Sequence, residues 1–291
     1  MSSEWPDYEL LDFGEGRKLE RFGAWVLDRP APAAINVAKS RPAAWRDATA
    51  RYVADRAADG QWSRPVASWG AAGALRVPLN GEAAFHLLLE PLPSGQVGVF
   101  PEQWNNWRWL ASRAAAQGPP LNVLNLFAYT GGATLAAAAN GACVTHVDAA
   151  KGMVTRARMN ADFSDSSRDW PIRWIVEDAM KFCRREVKRG NRYDAIILDP
   201  PTYGHGPKGE EWLIKRDLLP LLSLCGELTE RRPKFVLLTC HTPEFGPAEL
   251  SAYLSEGLFG ACGQPPRTGE LYLETADGRR LPNGTFARWP G

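Results

Sequence analysis

The pattern of apolar positions changes once along the chain. From residue 121 onward, short unbroken apolar runs alternate with longer stretches of helical period. The runs at 121–127, 143–147, 172–176, 193–198 and 235–239 have the length and continuous apolar character of strands buried on both faces. The stretches between them, 133–139, 151–162, 178–187 and 212–228, predict helices. Strand and helix in alternation predict a parallel, doubly wound α/β sheet covered by helices. The tail departs from this rhythm. Strand-like segments at 271–275 and 285–289 flank a turn-rich stretch and predict a closing hairpin.

The texture before residue 117 is different. It is rich in Trp, Pro and Gly, with strand-like runs at 22–27 and 85–89 and an Ala-rich helical candidate at 43–58. This predicts a small α+β unit. Gln117-Gly118-Pro119-Pro120 breaks any preceding helix and marks the expected boundary. The expectation is an N-terminal substrate or accessory domain over 1–116 and a larger α/β domain over 117–291.

Composition narrows the class. Hydrophobic residues at 45% and charged residues at 23% are those of an ordinary globular chain, and 291 residues suit two domains. No apolar stretch approaches the roughly 18 residues of a membrane span, and residues 1–20 are acidic without the apolar run of a signal peptide. A cytoplasmic protein without membrane contact is expected. Cys143, Cys183, Cys225, Cys240 and Cys262 are odd in number and form no CxxC pair, and the four histidines show no ligand spacing. Neither a disulfide framework nor a metal is therefore expected. The net charge of +1 argues against a strongly basic nucleic-acid protein but permits a local patch. Helical spacing puts Lys181, Arg185 and Lys188 on one face, which reads as a solvated face or an RNA-facing one.

Candidate chemistry sits where strands hand over to helices. The first crossing reads Phe127-Ala128-Tyr129-Thr130-Gly131-Gly132. Ligands of open α/β sheets bind at the carboxyl ends of strands, and paired glycines let backbone approach them closely. The GxGxxG that seats a pyrophosphate is absent, so a nicotinamide cofactor is not indicated. A looser loop suits S-adenosylmethionine, which carries a carboxylate and no phosphate. The second strand ends in Asp148-Ala149, where a carboxylate can accept from both ribose hydroxyls. The third ends in Glu177-Asp178-Ala179, where an acid can accept from an adenine amino group or cap the following helix. The fourth ends in Asp199-Pro200-Pro201-Thr202-Tyr203. Two prolines make this turn stiff and leave its carbonyls free of neighbouring N–H groups. Tyr203 offers a face on which a flat base can stack.

In this order, with Asn160, these motifs resemble the bacterial ribosomal RNA methyltransferases that make 5-methylcytosine or 7-methylguanine in the large subunit. The resemblance covers roughly residues 104–241 and points to a less characterised branch. It implies a Rossmann-like seven-stranded sheet with its last strand antiparallel. It implies methionine contacts from Phe127, Ala128, Tyr129, Thr130 and Gly131, ribose contacts from Asp148 and adenine contacts near Asp178. The family's Asp-Gln-Arg and Asn-Arg segment is replaced here by Glu102-Gln103-Trp104 and Asn106-Trp107, and its N-terminal RNA-binding domain is not recognisable.

Three readings follow: a methyltransferase acting on an RNA base, one acting on a small molecule or protein side chain, and a non-catalytic binding protein. For the first two, Asp199, Pro200 and Pro201 orient the substrate and Tyr203 stacks on it. Related cytosine carbon-5 enzymes use a cysteine shortly after the fifth strand. Cys240 falls about two positions early for that role, and a buried, inert thiol is expected.

Overall fold

The computed structural model describes residues 5–54, 60–64, 73–115, 119–165, 167–260 and 264–291. The chain forms two compact units. One comprises Met1–Pro78, Ala84–Trp104 and Tyr272–Asn283, the other Leu79–Ala83, Asn105–Leu271 and Gly284–Gly291.

The first unit is strand-rich. β1 (Tyr8–Gly14), β2 (Arg17–Phe22), β3 (Trp25–Pro30), β4 (Ala50–Val53) and β5 (Gln61–Trp62) form a five-stranded sheet in chain order. β6 (Ala74–Pro78) and β7 (Ala84–Leu88) form a separate ladder. The run at 22–27, expected as one strand, is a hairpin: Phe22 pairs with Trp25 across the turn at Gly23. The helical candidate at 43–58 also differs. It opens as a 3₁₀ turn, Pro42–Asp47, and continues as β4, while 55–58 lie outside the described residues. Along β4, Ala50 and Tyr52 are buried while Arg51 and Val53 are exposed, and pairing with β3 outweighs the helical preference of the alanines.

Two buried carboxylates of this unit, Glu20 and Asp12, are held by partners. Arg29 donates to Glu20 from Nε at 2.9 Å and from Nη2 at 2.5 Å, and Tyr8 donates to the same carboxylate at 3.0 Å. Burial alone would raise the Asp12 carboxyl. The Trp45 indole, the amides of Arg41 and Ser40, and Arg279 outweigh it and hold Asp12 at about 2.

The second unit contains α1 (Trp104–Ala114), β8 (Asn122–Leu126), α2 (Gly132–Ala138), β9 (Cys143–Asp148), α3 (Lys151–Ser164), β10 (Ile172–Val176), α4 (Ala179–Lys188) and β11 (Ala195–Leu198). A short hairpin of β12 (Tyr203–His205) and β13 (Glu211–Leu213) follows, then α5 (Ile214–Leu228), β14 (Phe235–Cys240), α6 (Pro247–Tyr253), β15 (Arg267–Glu274) and β16 (Arg280–Trp289). Trp104, the first residue of α1, and the 272–283 portion of the last two strands count with the first unit. The rest of α1 counts with the second, although it precedes the expected boundary. Trp107 packs against Gly132, and the Trp109 ring lies 5.8 Å from that of Phe235. Gln117 and Gly118 of the boundary motif lie outside the described residues, as does Cys262.

The seven-stranded sheet has the order β10-β9-β8-β11-β14-β16-β15. β8 to β11, β9, β10 and β14 are parallel, and β16 runs antiparallel to β14, as the resemblance implied. The central strands are buried on both faces because helices cover both: Leu124, Leu126, Ile196, Leu198, Val236 and Leu238 on one, Val123, Ile197, Phe235 and Leu237 on the other. Each such side chain contributes about 1.5–3 kcal/mol. Strand order reverses between β8 and β11. In an open α/β sheet that switch point is where a ligand crevice forms, outside the carboxyl ends of the strands.

Candidate active site

The loop after β8 reverses direction with unusual backbone. Phe127 and Tyr129 lie at φ +56° and +49°, and Gly131 at +90°. A side chain at Gly131 would be strained, and its Cβ would come within 3.1 Å of the Ala157 Cβ. The loop is held from two sides. Ala128 N–H donates to the Val147 carbonyl at 3.1 Å, and Tyr129 N–H donates to Asp148 Oδ2 at 2.8 Å. Asn160, fully buried on α3, donates to the Thr130 carbonyl at 2.8 Å.

Below the loop runs a buried chain of hydrogen bonds. Asn125 donates to Thr134 Oγ1 at 2.8 Å, and that hydroxyl lies 2.9 Å from His146 Nδ1. With the hydroxyl accepting from Asn125 and donating onward, Nδ1 accepts and the imidazole proton sits on Nε2. Burial, reinforced by Arg158, pushes His146 down to about 3, so the ring is neutral.

Asp148 ends β9 beside the loop. Its second oxygen accepts from the Ala150 amide at 2.8 Å, and Ala149 lies half-buried between them. Burial raises its carboxyl, and the two amides offset this only partly. Each oxygen keeps a lone pair for a further donor. At the next strand end, Glu177 N–H donates to the Asp148 carbonyl at 3.1 Å and its carboxylate pairs with Arg185 at 2.6 Å. Asp178 caps α4, accepting from the Lys181 amide at 2.8 Å, and Ala179 is buried.

The turn after β11 is braced throughout. Thr239 donates to Asp199 Oδ1 at 2.6 Å, and His241 Nε2 stands 3.6 Å from the same oxygen. Trp212 donates its indole N–H to the Pro201 carbonyl at 2.7 Å. The hydroxyls of Thr202 and Thr242 meet at 2.7 Å. Pro200 is buried and Pro201 exposed. Tyr203 is half-exposed on the hairpin, with its hydroxyl 2.7 Å from His205 Nε2. Trp212, expected to open a helix, lies in β13 and packs its ring 4.8 Å from that of Phe127. It thereby joins the two loops that flank the switch point.

The family model for S-adenosylmethionine-dependent methyltransferases matches residues 47–253. The crystal structure of an S-adenosylmethionine-dependent methyltransferase from Agrobacterium tumefaciens is 37% identical, covers 97% of this chain and 90% of its own, and superposes with a TM-score of 0.86. The chain belongs to the S-adenosylmethionine-dependent methyltransferases. Two curated relatives match shorter segments. Ribosomal RNA large subunit methyltransferase K/L of Hahella chejuensis is 32% identical over 133 residues, 45% of this chain and 17% of its own length. Ribosomal RNA large subunit methyltransferase I of Aeromonas salmonicida is 30% identical over 125 residues, 42% and 30% respectively. The methyltransferase thus spans a minor part of these relatives.

The loop geometry fits the cofactor. A sharp, glycine-closed turn faces a buried carboxylate whose remaining lone pairs suit ribose hydroxyls, with no GxGxxG cradle for a phosphate. Among the described residues, no cluster of three or more His, Cys, Asp or Glu side chains could hold a metal, and no helix is long and apolar enough to cross a membrane.

Two sequence features of the methyltransferase resolve into structure. On the expected α4 face Lys181 pairs with Glu210 and Arg185 with Glu177, so two of its three cations meet acids. Cys240 is buried, and burial raises its thiol, with Asp199 adding to the effect. Two positions later stands Thr242, already engaged with Thr202. Sequence reasoning missed Trp212, Thr239 and Thr242 as braces of the substrate turn, and the Asn125–Thr134–His146 chain. Each acts through a partner distant in sequence, so local spacing carries no signal for them.

Proposed function

We propose that this methyltransferase modifies a base in RNA, with ribosomal RNA as its substrate. The observation that carries the reading is the braced turn Asp199–Pro201 beside half-exposed Tyr203. It offers fixed acceptors and an aromatic face for a flat heterocycle at the switch point. The names of the two curated relatives, both ribosomal RNA large subunit methyltransferases, support the same substrate class.

In this reading the backbone of Phe127, Ala128, Tyr129, Thr130 and Gly131 holds the methionine portion, Asp148 and Ala149 the ribose, and Glu177, Asp178 and Ala179 border the adenine. Asn160 acts by fixing the Thr130 carbonyl. S-adenosylmethionine supplies an electrophilic methyl group when bound. The protein's own part is to hold the accepting atom in line with that methyl and to exclude water. Asp199 and the Pro200 carbonyl orient the base, the Pro201 carbonyl being taken by Trp212, and Tyr203 stacks on it. Residues 1–116 serve substrate recognition.

The test is transfer of labelled methyl from S-adenosylmethionine to RNA from cells lacking the gene, followed by nucleoside mass spectrometry. A new methylated base in ribosomal RNA is expected. Label entering protein or small molecules and not RNA would overturn the reading.

A further inference from the structure

We infer that His241 accepts the proton released in methyl transfer, and that the substrate atom is therefore a neutral amino nitrogen. This rests on the reading of the Asp199 turn as the substrate site.

β14 ends at Cys240, and His241 follows at the carboxyl end of the sheet. β11 is the parallel neighbour of β14, so His241 emerges beside Asp199, with Nε2 3.6 Å from Oδ1. Thr239, two residues earlier, holds that oxygen at 2.6 Å, so the carboxylate is fixed before any substrate arrives. His241 lies one residue beyond the strand and two beyond Thr239, and both side chains come to the same carboxylate.

Room for the imidazole is built into the opposite strand. Gly284 on β16 lies at φ +117°, and a Cβ there would come within 2.6 Å of the Cys240 carbonyl oxygen and 2.9 Å of His241 Nδ1. Any side chain would displace the ring. On either side of His241 the chain is closed off: Cys240 is buried, and Thr242 is buried with its hydroxyl on Thr202. His241 itself is 36% exposed and can exchange protons with solvent. The nearest charged neighbour along the chain beyond it, Glu244, pairs with Lys215 of α5 at 3.2 Å.

An imidazole beside a fixed carboxylate can take up a proton that the reaction releases near it. A ring nitrogen with a free lone pair gains a methyl group and keeps the charge. Cytosine carbon 5 sheds a proton but also needs a thiolate, which buried Cys240 disfavours, and an amino nitrogen sheds one without it. Its lone pair forms the new nitrogen–carbon bond as the methyl carbon–sulfur bond breaks, and the electrons of that bond stay on sulfur. As positive charge builds on the nitrogen in that same step, its N–H proton passes to His241 Nε2 and the N–H electron pair stays on nitrogen. The imidazolium is stabilised by Asp199 and returns the proton to solvent.

Two measurements test this. The first is single-turnover methyl transfer to RNA from cells lacking the gene. His241→Gln should lower the rate about 100-fold, the scale of general-base catalysis, with affinity for S-adenosylmethionine unchanged. The wild type should show a rising limb with pH that the variant lacks, and added imidazole should restore rate to His241→Ala. Full rate in both variants would overturn the inference and leave the RNA reading standing. The second is a double-mutant cycle on the same rates: His241→Gln should cost far less in Asp199→Asn than in the wild type. No transfer to RNA by the wild type would overturn the RNA reading. Losses that multiply independently in the double variant would overturn the His241–Asp199 pairing and leave the RNA reading standing.

Discussion

The indole N–H of Trp212 is bonded to the Pro201 carbonyl at 2.7 Å while its ring packs against Phe127, so one side chain sets the spacing between the cofactor loop and the substrate turn. Trp212→Phe keeps most of the ring packing and removes the donor. The lost hydrogen bond costs about 0.5–1.5 kcal/mol of stability. The expected effect on turnover is about tenfold, equivalent to about 1.4 kcal/mol in the barrier, with S-adenosylmethionine affinity little changed. Calorimetry and single-turnover rates measured together check this. An equal loss in both quantities would show that Trp212 serves only the cofactor loop.

Asp148→Ala should weaken S-adenosylmethionine binding at least about tenfold, since hydrogen bonds to a charged group contribute about 1.5–3 kcal/mol. It also frees the amides of Tyr129 and Ala150. Asp148→Asn retains one acceptor and should fall between. Titration calorimetry at neutral pH reads the difference, and unchanged affinity in the alanine variant would remove Asp148 from the ribose site.

His146 carries a pH signature. Its folded value, about 3, lies below the usual 6.5 because burial disfavours the cation. Above pH 6.5 the ring is neutral folded or unfolded and its contribution is constant. Below 6.5 only the unfolded chain takes up the proton, so stability falls by about 1.4 kcal/mol per pH unit until the folded value is reached. Urea unfolding between pH 7 and 4.5 should show this slope in the wild type and a flatter one in His146→Gln. Parallel slopes would mean that the imidazole is protonated in the folded protein.

Cys240 and the Asp199 turn separate two chemistries. Cytosine carbon-5 methylation requires a thiolate to attack the ring first. Cys240 is buried with its thiol raised, which disfavours the thiolate. Cys240→Ser should keep most of the activity, while Asp199→Ala and Tyr203→Ala lose it. RNA carrying 5-fluorocytidine should form no stable adduct. A trapped complex, together with an inactive Cys240→Ser, would make this a carbon-5 enzyme.

The parallel sheet was legible because buried strands are written as apolar runs and its loops carry compact chemistry. Each expected strand from residue 121 onward finds a counterpart within a few residues. The first unit was harder to read. The run at 22–27 hides a turn inside apolar sequence, and Tyr52 is strand because of what it pairs with. In the candidate site, the sequence displayed the residues that end strands and concealed those that brace them. Thr239 and Trp212 look like ordinary core positions until the fold brings them to Asp199 and Pro201. Asp178, read as either an adenine acceptor or a cap, does cap α4.

The bond from Arg279 to Asp12 joins positions 267 residues apart within one compact unit. On the ribosome, at roughly 5–20 residues per second, Asp12 waits on the order of 15–50 seconds for that partner. The sheet begun by the first strands therefore cannot complete its polar interior while the chain is being made. The amino-terminal sheet thus gains this partner only after the parallel strands β8, β9, β10, β11 and β14 have been made.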